Sequence, residues 1–203
     1  MMTIMQTKSK IAMKGRKELT HERIVEVASR AIRRTGYDGT GVADLMKEAG
    51  LTHGGFYSHF KSRDALLAEA VARACDDSAT LASEFAASAK GGTALHTMMQ
   101  AYLSPQHIAG IETGCPISAL GSEMPRQSKE VREVMTKHIR KTLGTITSLI
   151  PNESKSEARD EAMALFCAMI GTAIVARAVD SPELSEALCT ATMKHFAPII
   201  EPA

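Results

Sequence analysis

The residues best suited to chemistry lie in one short stretch, positions 50–67, with the sequence GLTHGGFYSHFKSRDALL. The chain has only eight aromatic residues, and Phe56, Tyr57 and Phe60 all fall within five positions of this stretch. Hydroxyls, imidazoles and a lysine surround these rings, and such groups donate hydrogen bonds or positive charge to phosphate oxygens. A glycine pair in the same stretch should weaken a helix, so its presence requires a physical reason.

A helix-turn-helix supplies that reason. Two short helices, expected at 42–49 and 52–60, meet at the sequence Ala49-Gly50-Leu51. A tight turn between crossing helices needs a glycine that can adopt positive φ and an apolar residue that enters the shared core. In a helix-turn-helix the second helix lies in the major groove of DNA. The sequence therefore predicts that residues 52–60 form a recognition helix.

Each residue type in the recognition helix has an expected role. Phe56 and Phe60, four positions apart, should point into the core, while Tyr57 faces DNA and its hydroxyl reaches a phosphate. Glycines without side chains allow the backbone to approach the groove closely, and a structural role for His59 is as well supported as a DNA contact. The candidate DNA contacts read from these residues are Thr52, His53, Gly54, Gly55, Tyr57, Ser58, His59 and Lys61.

The elements that position this stretch are expected to be helices. The chain is rich in good helix formers, its prolines are few, and long apolar-polar alternation is absent, which predicts an all-α fold of about nine helices. Thr20 and Ser62 are candidate N-caps and Gly36 a candidate C-terminal cap. Further helices are expected around 93–103, from Pro116, at 125–151, at 156–178 and from 181 to before Pro198, with a break at 90–92 and a loop at 105–114.

Charge and composition narrow the class of protein. Residues 1–64 carry 12 Lys/Arg and 7 Asp/Glu, whereas the remainder carries 12 and 16, so the basic first third is suited to a polyanion. Four scattered cysteines without a CxxC pair indicate reduced thiols in a cytoplasmic protein. The N-terminus does not resemble a signal peptide. The longest apolar run, 162–176, falls short of the ~18 residues of a membrane span, so no membrane partner is expected.

The segment LTHGGFYSHFKSRDALLAEAVARA closely resembles the DNA-binding domain of the TetR/AcrR family of bacterial transcription regulators, and GYDGTGVADLMKEAG before it fits the first two helices of that domain. The resemblance covers about residues 20–74. It implies a three-helix DNA-binding domain, at 19–64, and a larger helical ligand-binding and dimerisation domain, at 65–203. Residues 1–18 are themselves expected to form a flexible basic tail, either a solvated end or an arm that touches DNA. The resemblance also implies a homodimer. The family's usual contacts carry over to Thr40, Thr52, Gly54, Tyr57, His59 and Lys61, while Gly41 and Met46 depart from its pattern.

The C-terminal two thirds must be interpreted from their own residues. The apolar helix at 156–178 and the last helix are expected to form a four-helix interface with a second copy. A pocket for a small organic molecule is expected among flexible apolar side chains and a few polar groups. The candidate ligand-binding residues are Met98, Tyr102, His107, Cys115, Ser118, Glu123, Met135, His138, Phe166 and Met169. No histidine set with metal-ligand spacing and no cofactor motif is recognisable.

These features favour a ligand-responsive regulator that binds pseudo-palindromic operator DNA and is released by a small molecule, and the resemblance alone implies that it is a repressor. Three alternatives stay open at this stage. Cys115, directly before Pro116 at an expected helix start, is suited to sensing an oxidant or electrophile. The same cysteine with His107 or His138 is a weak candidate for a catalytic pair, since no orienting group or oxyanion hole is visible. A DNA-binding protein that responds to no ligand is the third alternative.

Overall fold

The computed structural model describes residues 15–89, 93–151 and 154–200. Most of the predicted basic tail at 1–18 and the predicted break at 90–92 lie outside the described residues. Within them the chain forms nine α-helices and two short 3-10 helices, and no strand. The α-helices are α1 (Arg16–Thr35), α2 (Val42–Glu48), α3 (Arg63–Ala87), α4 (Ala94–Tyr102), α5 (Pro105–Ala109), α6 (Pro116–Leu120), α7 (Lys129–Leu149), α8 (Lys155–Ala178) and α9 (Pro182–Ile200); the 3-10 helices are His53–Ser58 and Met124–Arg126.

The first helix begins earlier than the sequence predicted. α1 starts at Arg16, and Thr20 is not its cap: the Thr20 hydroxyl donates to the Arg16 carbonyl one turn earlier in the same helix. Residues 16–19 are good helix formers or tolerated there, so nothing stops the helix at Thr20. The predicted end is confirmed, because Gly36 adopts a φ of 76° directly after Thr35.

The turn before the recognition helix is built as predicted. Gly50 adopts a φ of 69°. Gly36 and Gly50 are the two positions of positive φ among the described residues. The recognition helix itself is a 3-10 helix, His53–Ser58, rather than the α-helix expected through Phe60. Six residues with a central glycine pair gain little from α-helical hydrogen bonds and lose much backbone entropy, which favours a short 3-10 segment.

α3 connects the N-terminal helices to the rest of the chain. The Ser62 side chain accepts a hydrogen bond from the Ala65 amide and caps α3 as predicted. Over 25 residues α3 packs first against α1 and then against α7 and α4. Its buried residues belong to one apolar cluster that continues from α1 to α6 and α7. Packing along α3 is therefore continuous between the two parts.

Two local predictions in the larger part were wrong. The sequence predicted a loop at 105–114, but the first five of these residues form α5. The helix forms because the Ser104 hydroxyl accepts a hydrogen bond from the His107 amide and Pro105 occupies the first helical position. α9 also continues through Pro198 to Ile200. A proline this close to the end removes one intrahelical hydrogen bond, and burial of Ile200 together with a hydrogen bond from Thr93 to its carbonyl holds the last turn.

The apolar helix α8 is longer than the run counted in the sequence. It has 24 residues, and an 18-residue window within it reaches a mean hydropathy of 1.5, so by length and composition alone it could cross a membrane. In the fold it packs against α9 and α7, with α6 and α5 on a further side. About 28% of the window is buried within the chain, which leaves much of its apolar surface for another contact.

The C-terminal end of α1 is joined to the segment 112–123 by three polar contacts. The buried Arg33 guanidinium donates to the Gly114 carbonyl (3.0 Å), and Arg34 donates to the Glu112 carboxylate (3.0 Å). The Glu123 carboxylate accepts from the Tyr37 amide at 2.9 Å, just beyond the end of α1. These contacts tie the DNA-binding helices to the larger part independently of α3.

Replacing Glu123 by Ala should loosen the end of α1, because the Tyr37 amide then loses its acceptor in a partly buried position. We expect a loss of about 1–3 kcal/mol in the free energy of unfolding and faster hydrogen exchange at the Tyr37 amide. Glu133→Ala, which removes an exposed α7 carboxylate paired only with Lys129, is the matched control and should change both quantities little. Equal behaviour of the two variants would contradict a structural role for the Glu123 contact.

Candidate nucleic-acid interface and internal cavity

The aromatic cluster divides into a buried and an exposed side. Phe56 and Phe60 are 2% and 3% exposed and stack on each other with ring centroids 5.6 Å apart. Phe60 also stacks on His21 of α1 at 4.4 Å, which ties the recognition helix to α1. Tyr57 is 73% exposed, and its ring meets Phe56 edge-on at 5.1 Å. The tyrosine therefore presents its hydroxyl to solvent from a base that the two phenylalanines fix.

The two glycines differ in their surroundings. A Cβ added at Gly54 would meet nothing within 4 Å, whereas one at Gly55 would lie 3.6 Å from the Met46 side chain. Met46 is fully buried, so this residue, which departs from the family pattern, fills the space beside Gly55. Gly54 leaves open space outside the helix, which is the geometry needed for close approach of another molecule.

The remaining exposed candidates surround Tyr57 along the chain. Thr52, His53 and Lys61 are exposed, and Lys61 forms no ion pair within residues 15–89, 93–151 and 154–200. Ser58 is exposed as well, although its hydroxyl already donates to the Gly55 carbonyl at 2.7 Å. An unpaired lysine and free hydroxyls on an exposed short helix are suited to binding a phosphate backbone.

Thr40 and His59 lie in less open positions. Thr40 is 4% exposed, and its hydroxyl donates to the Gly36 carbonyl at 2.7 Å, so its side chain supports the turn after α1. Gly41 begins α2 without a side-chain cap. His59 is half-buried, and burial together with His21 and Lys17 lowers the pKa of His59. Its ring, next to Phe60, therefore favours the neutral form and packs between the recognition helix and α1.

An internal cavity of about 260 Å³ lies among α3, α4, α5, α7 and α8. Its wall is mostly apolar and has a polar end near Tyr102 and His107, whose rings lie 4.4 Å apart. Seven of the ten predicted ligand residues line it: Met98, Tyr102, His107, Cys115, His138, Phe166 and Met169.

Three predicted ligand residues lie outside the cavity wall. The Ser118 hydroxyl binds Arg177 (2.8 Å) and the Cys115 carbonyl, Glu123 binds the Tyr37 amide, and Met135 is 3% exposed within the cluster shared with α1. All three were predicted from residue type alone. Their positions depend on helix packing, which directs them towards other helices instead of the cavity.

Arg177 is a residue that the sequence analysis missed. Its guanidinium donates to the carbonyls of Ile108 (2.9 Å) and His107 (3.0 Å) and to the Ser118 hydroxyl, and burial lowers its pKa. It holds the segment between α5 and α6 that forms the polar end of the cavity. An arginine at the end of an apolar helix gave no local signal of this role. Cavity-lining residues also missed are Ser78, Leu81, Phe85, Ser104, Gln106, Thr113 and Thr142.

Cys115 occupies the position before α6 that the sequence predicted. It is 5% exposed, and its backbone N–H donates to Nε2 of His107 at 3.2 Å. A second buried cysteine, Cys75 of α3, belongs to the same apolar cluster, and burial followed by the charge of Cys115 raises the pKa of Cys75 to about 12. Cys75 is therefore a neutral thiol at ordinary pH.

A second, more open groove of about 860 Å³ runs between α4 and α5 on one side and α8 and α9 on the other. Its lining includes Glu186 and Lys194 as well as apolar residues of α9.

The described residues contain no group of three or more His, Cys, Asp or Glu side chains that could hold a metal ion. The internal cavity is less open than the groove and mostly apolar, which makes it the better candidate for a small organic molecule.

Comparison with known proteins agrees with this geometry. The family described as bacterial regulatory proteins of the tetR family matches residues 24–70. An uncharacterised HTH-type transcriptional regulator of Bacillus subtilis (strain 168), YerO, is 39% identical over 49 residues, which are 24% of this chain and 17% of that protein. The family match lies on the N-terminal helices, and this chain spans less than a fifth of the length of the curated relative.

Solved structures extend the likeness in fold to nearly the whole chain. A TetR-family regulator from Cytophaga hutchinsonii has a TM-score of 0.79 at 17% identity, covering 94% of this chain and 99% of that one. A TetR regulator from Chloroflexus aurantiacus J-10-FL has 0.78 at 24%, covering 92% and 98%. The reduced form of E. coli NemR has 0.74 at 19%, covering 91% and 98%. Residues 24–70 therefore carry a DNA-binding domain of the tetR family of bacterial regulatory proteins, and the fold of nearly the whole chain is similar to that of TetR-family regulators.

Proposed function

We propose that the chain is a cytoplasmic repressor that binds a pseudo-palindromic operator as a homodimer and is released by a small organic molecule in the internal cavity. The observation that carries the DNA-binding part is the two-sided recognition helix. Tyr57 is 73% exposed beside buried Phe56, with open space at Gly54 and an unpaired Lys61 following the helix in the described chain. Such a helix is rigid on one side and accessible on the other.

The last two helices support the homodimer. Ile174 and Val175 of α8 are 44% and 48% exposed, and Leu184 of α9 is 49% exposed. The two helices are held together by packing and by a hydrogen bond between Thr172 and Thr192 at 2.7 Å. A rigid helix pair with apolar residues in solvent suits a four-helix interface between two copies. A two-fold dimer would place two recognition helices on half-sites about one helical turn, or a multiple of it, apart.

The polar contacts at the end of α1 support coupling between cavity and DNA. The segment 112–123 contributes Thr113, Gly114 and Cys115 to the cavity wall, and the same segment receives Arg33 and anchors Tyr37. A molecule that binds more tightly when this segment shifts would also shift the end of α1. That difference in affinity between two conformers is what release from DNA requires.

A thiol-sensing regulator is the second candidate. Cys115 lines the cavity, so a molecule that enters can reach its sulfur. E. coli NemR, a protein of similar fold, has been crystallised in a reduced form. We favour the non-covalent effector because Cys115 is 5% exposed, which limits the access of a reagent to its thiol.

DNA binding is tested by selecting a duplex from a random library and measuring its affinity across salt. We expect a pseudo-palindrome whose affinity falls steeply as salt rises, since phosphate contacts release counterions. Tyr57→Phe should weaken binding about tenfold through one lost hydrogen bond, and Lys61→Ala should reduce the salt slope by about one for each recognition helix. Lys129→Ala, an exposed α7 lysine, is the control. No enriched duplex, or one bound equally well by all variants, would sink the proposal.

The role of Gly54 can be separated from folding. Gly54→Ala meets no atom within 4 Å and does not require positive φ, so thermal stability should be unchanged or slightly higher. The added methyl group should instead hold the helix away from the groove and weaken operator binding at least tenfold. Gly144→Ala, at an equally open helical position in α7, is the control and should bind DNA normally. Normal operator affinity of Gly54→Ala would show that close approach is not needed.

N-ethylmaleimide separates the two candidate functions. Cys167 lies two turns before Ile174, on the side of α8 assigned to the dimer, so the comparison is made in Cys167→Ser. The favoured proposal expects N-ethylmaleimide to cause little loss of operator affinity in Cys167→Ser. A thiol sensor would lose operator affinity in Cys167→Ser but keep it when Cys115→Ser is added to Cys167→Ser. Mass spectrometry of the modified peptides, together with operator affinity before and after treatment, provides both readouts.

A further inference from the structure

The wall of the internal cavity lacks formal charge. Among the described residues that line it, none is Asp, Glu, Lys or Arg. Two histidines, His107 and His138, are the titratable cations that could contribute charge. Burial, followed by the nearby Arg177 guanidinium, lowers the pKa of His107, and burial followed by Lys141 lowers that of His138. Both rings are therefore neutral at pH 7.

The polar end of the cavity holds two buried hydrogen-bonding groups without a partner. The Tyr102 hydroxyl and the His107 Nδ1 are buried, and neither has a hydrogen-bond partner among the described residues. Burial raises the pKa of Tyr102, and the nearby Cys115 and Ser118 side chains also affect it. The Tyr102 backbone also affects the pKa of His107, so His107 lies close to that backbone. None of these pairs meets hydrogen-bond geometry, so both groups lack a bonded partner among the described residues.

The nitrogen that carries the proton of neutral His107 follows from the hydrogen bond at Nε2. The Cys115 backbone N–H donates to Nε2, so Nε2 is an acceptor and carries no proton. A neutral imidazole then carries its proton on Nδ1. The Tyr102 and His107 ring centroids are 4.4 Å apart, so the O–H and N–H donors belong to neighbouring side chains in the wall of the cavity.

The rest of the chamber is small and apolar. Leu81, Phe85, Met98, Ile146 and Phe166 line it. Its volume of about 260 Å³ is just below the ~300–1,000 Å³ of common ligand pockets. One ring with small substituents therefore suits the space better than a larger polycyclic molecule.

We infer that the effector is an uncharged, largely apolar molecule of about one ring whose single acceptor oxygen, of the aryl ketone or aldehyde kind, binds the Tyr102 hydroxyl and the His107 Nδ1–H. This inference rests on the proposed function, because it takes the cavity as the effector site. A buried donor that lacks an acceptor is costly, and a ligand oxygen removes that cost. Two adjacent donors select molecules that have an oxygen at one end over hydrocarbons of the same shape.

A carboxylate of the same size is excluded by the electrostatics of the wall. Burying an anion requires a paired cation, and the lining provides none. Arg33 and Arg177 are nearby cations, but their guanidinium groups donate to the Gly114, Ile108 and His107 carbonyls and to the Ser29 and Ser118 hydroxyls. Neither residue lines the cavity, so neither is placed to pair directly with a ligand.

The test compares three probes of similar size: acetophenone, isopropylbenzene and benzoate. Affinities are measured by calorimetry on the full chain at pH 7 without DNA. We expect binding of acetophenone, weaker binding of isopropylbenzene and no detectable binding of benzoate. Tyr102→Phe should fold normally, since the lost hydroxyl has no partner, and should lower the acetophenone-to-isopropylbenzene affinity ratio about fivefold to tenfold.

Tyr37→Phe is the matched control, because Tyr37 also has a buried hydroxyl without a partner but lies in the core near Glu123 instead of the cavity. It should leave the ratio unchanged. An equal ratio in wild type and Tyr102→Phe would overturn the inference, and so would tighter binding of benzoate or binding of no probe. Operator release by acetophenone is measured separately: selective binding without release would leave this ligand chemistry intact and count against the proposed effector response alone.

Discussion

The structure depends on a buried cation. The Arg33 guanidinium, in a residue that is 3% exposed, donates to the Ser29 carbonyl and hydroxyl and to the Gly114 carbonyl, and Asp77 lies 3.8 Å away. Burial lowers the pKa of Arg33, and the Asp77 charge opposes that effect. A buried charge is tolerated only when its partners stay in place. Arg33 therefore fixes α1, α3 and the segment before α6 relative to one another.

That constraint gives the segment 112–123 two roles. One side of it forms the polar end of the cavity, and the other side receives Arg33 and supplies Glu123 to the Tyr37 amide. Packed interfaces of this kind shift between discrete arrangements instead of deforming gradually. A small displacement at Gly114 would thus be felt at the end of α1, which precedes the helix-turn-helix. α3 provides a parallel connection through its continuous packing.

The recognition helix is held by tertiary packing and not by its own helical propensity. Its glycine pair and its 3-10 geometry are both weak in isolation. Phe56 and Phe60 compensate by stacking on each other, and Phe60 stacks on His21 of α1. Met46 fills the space beside Gly55. Rigid support from behind leaves Tyr57 and the open side of Gly54 free of any structural duty.

The sequence by itself determined the all-α class, the helix-turn-helix, the positive φ of Gly50 and the division of the aromatic cluster, because local spacing and turn chemistry dictate these features. Seven cavity residues could also be chosen by residue type, since apolar and weakly polar side chains concentrate in such sites. Only the tertiary structure decided that the Glu123 carboxylate binds the Tyr37 amide just beyond α1, that Arg177 supports the polar end, and that Tyr102 and His107 lie together. Those positions depend on how distant helices cross, and no local pattern encodes a contact between residues that are 86 positions apart, such as Tyr37 and Glu123.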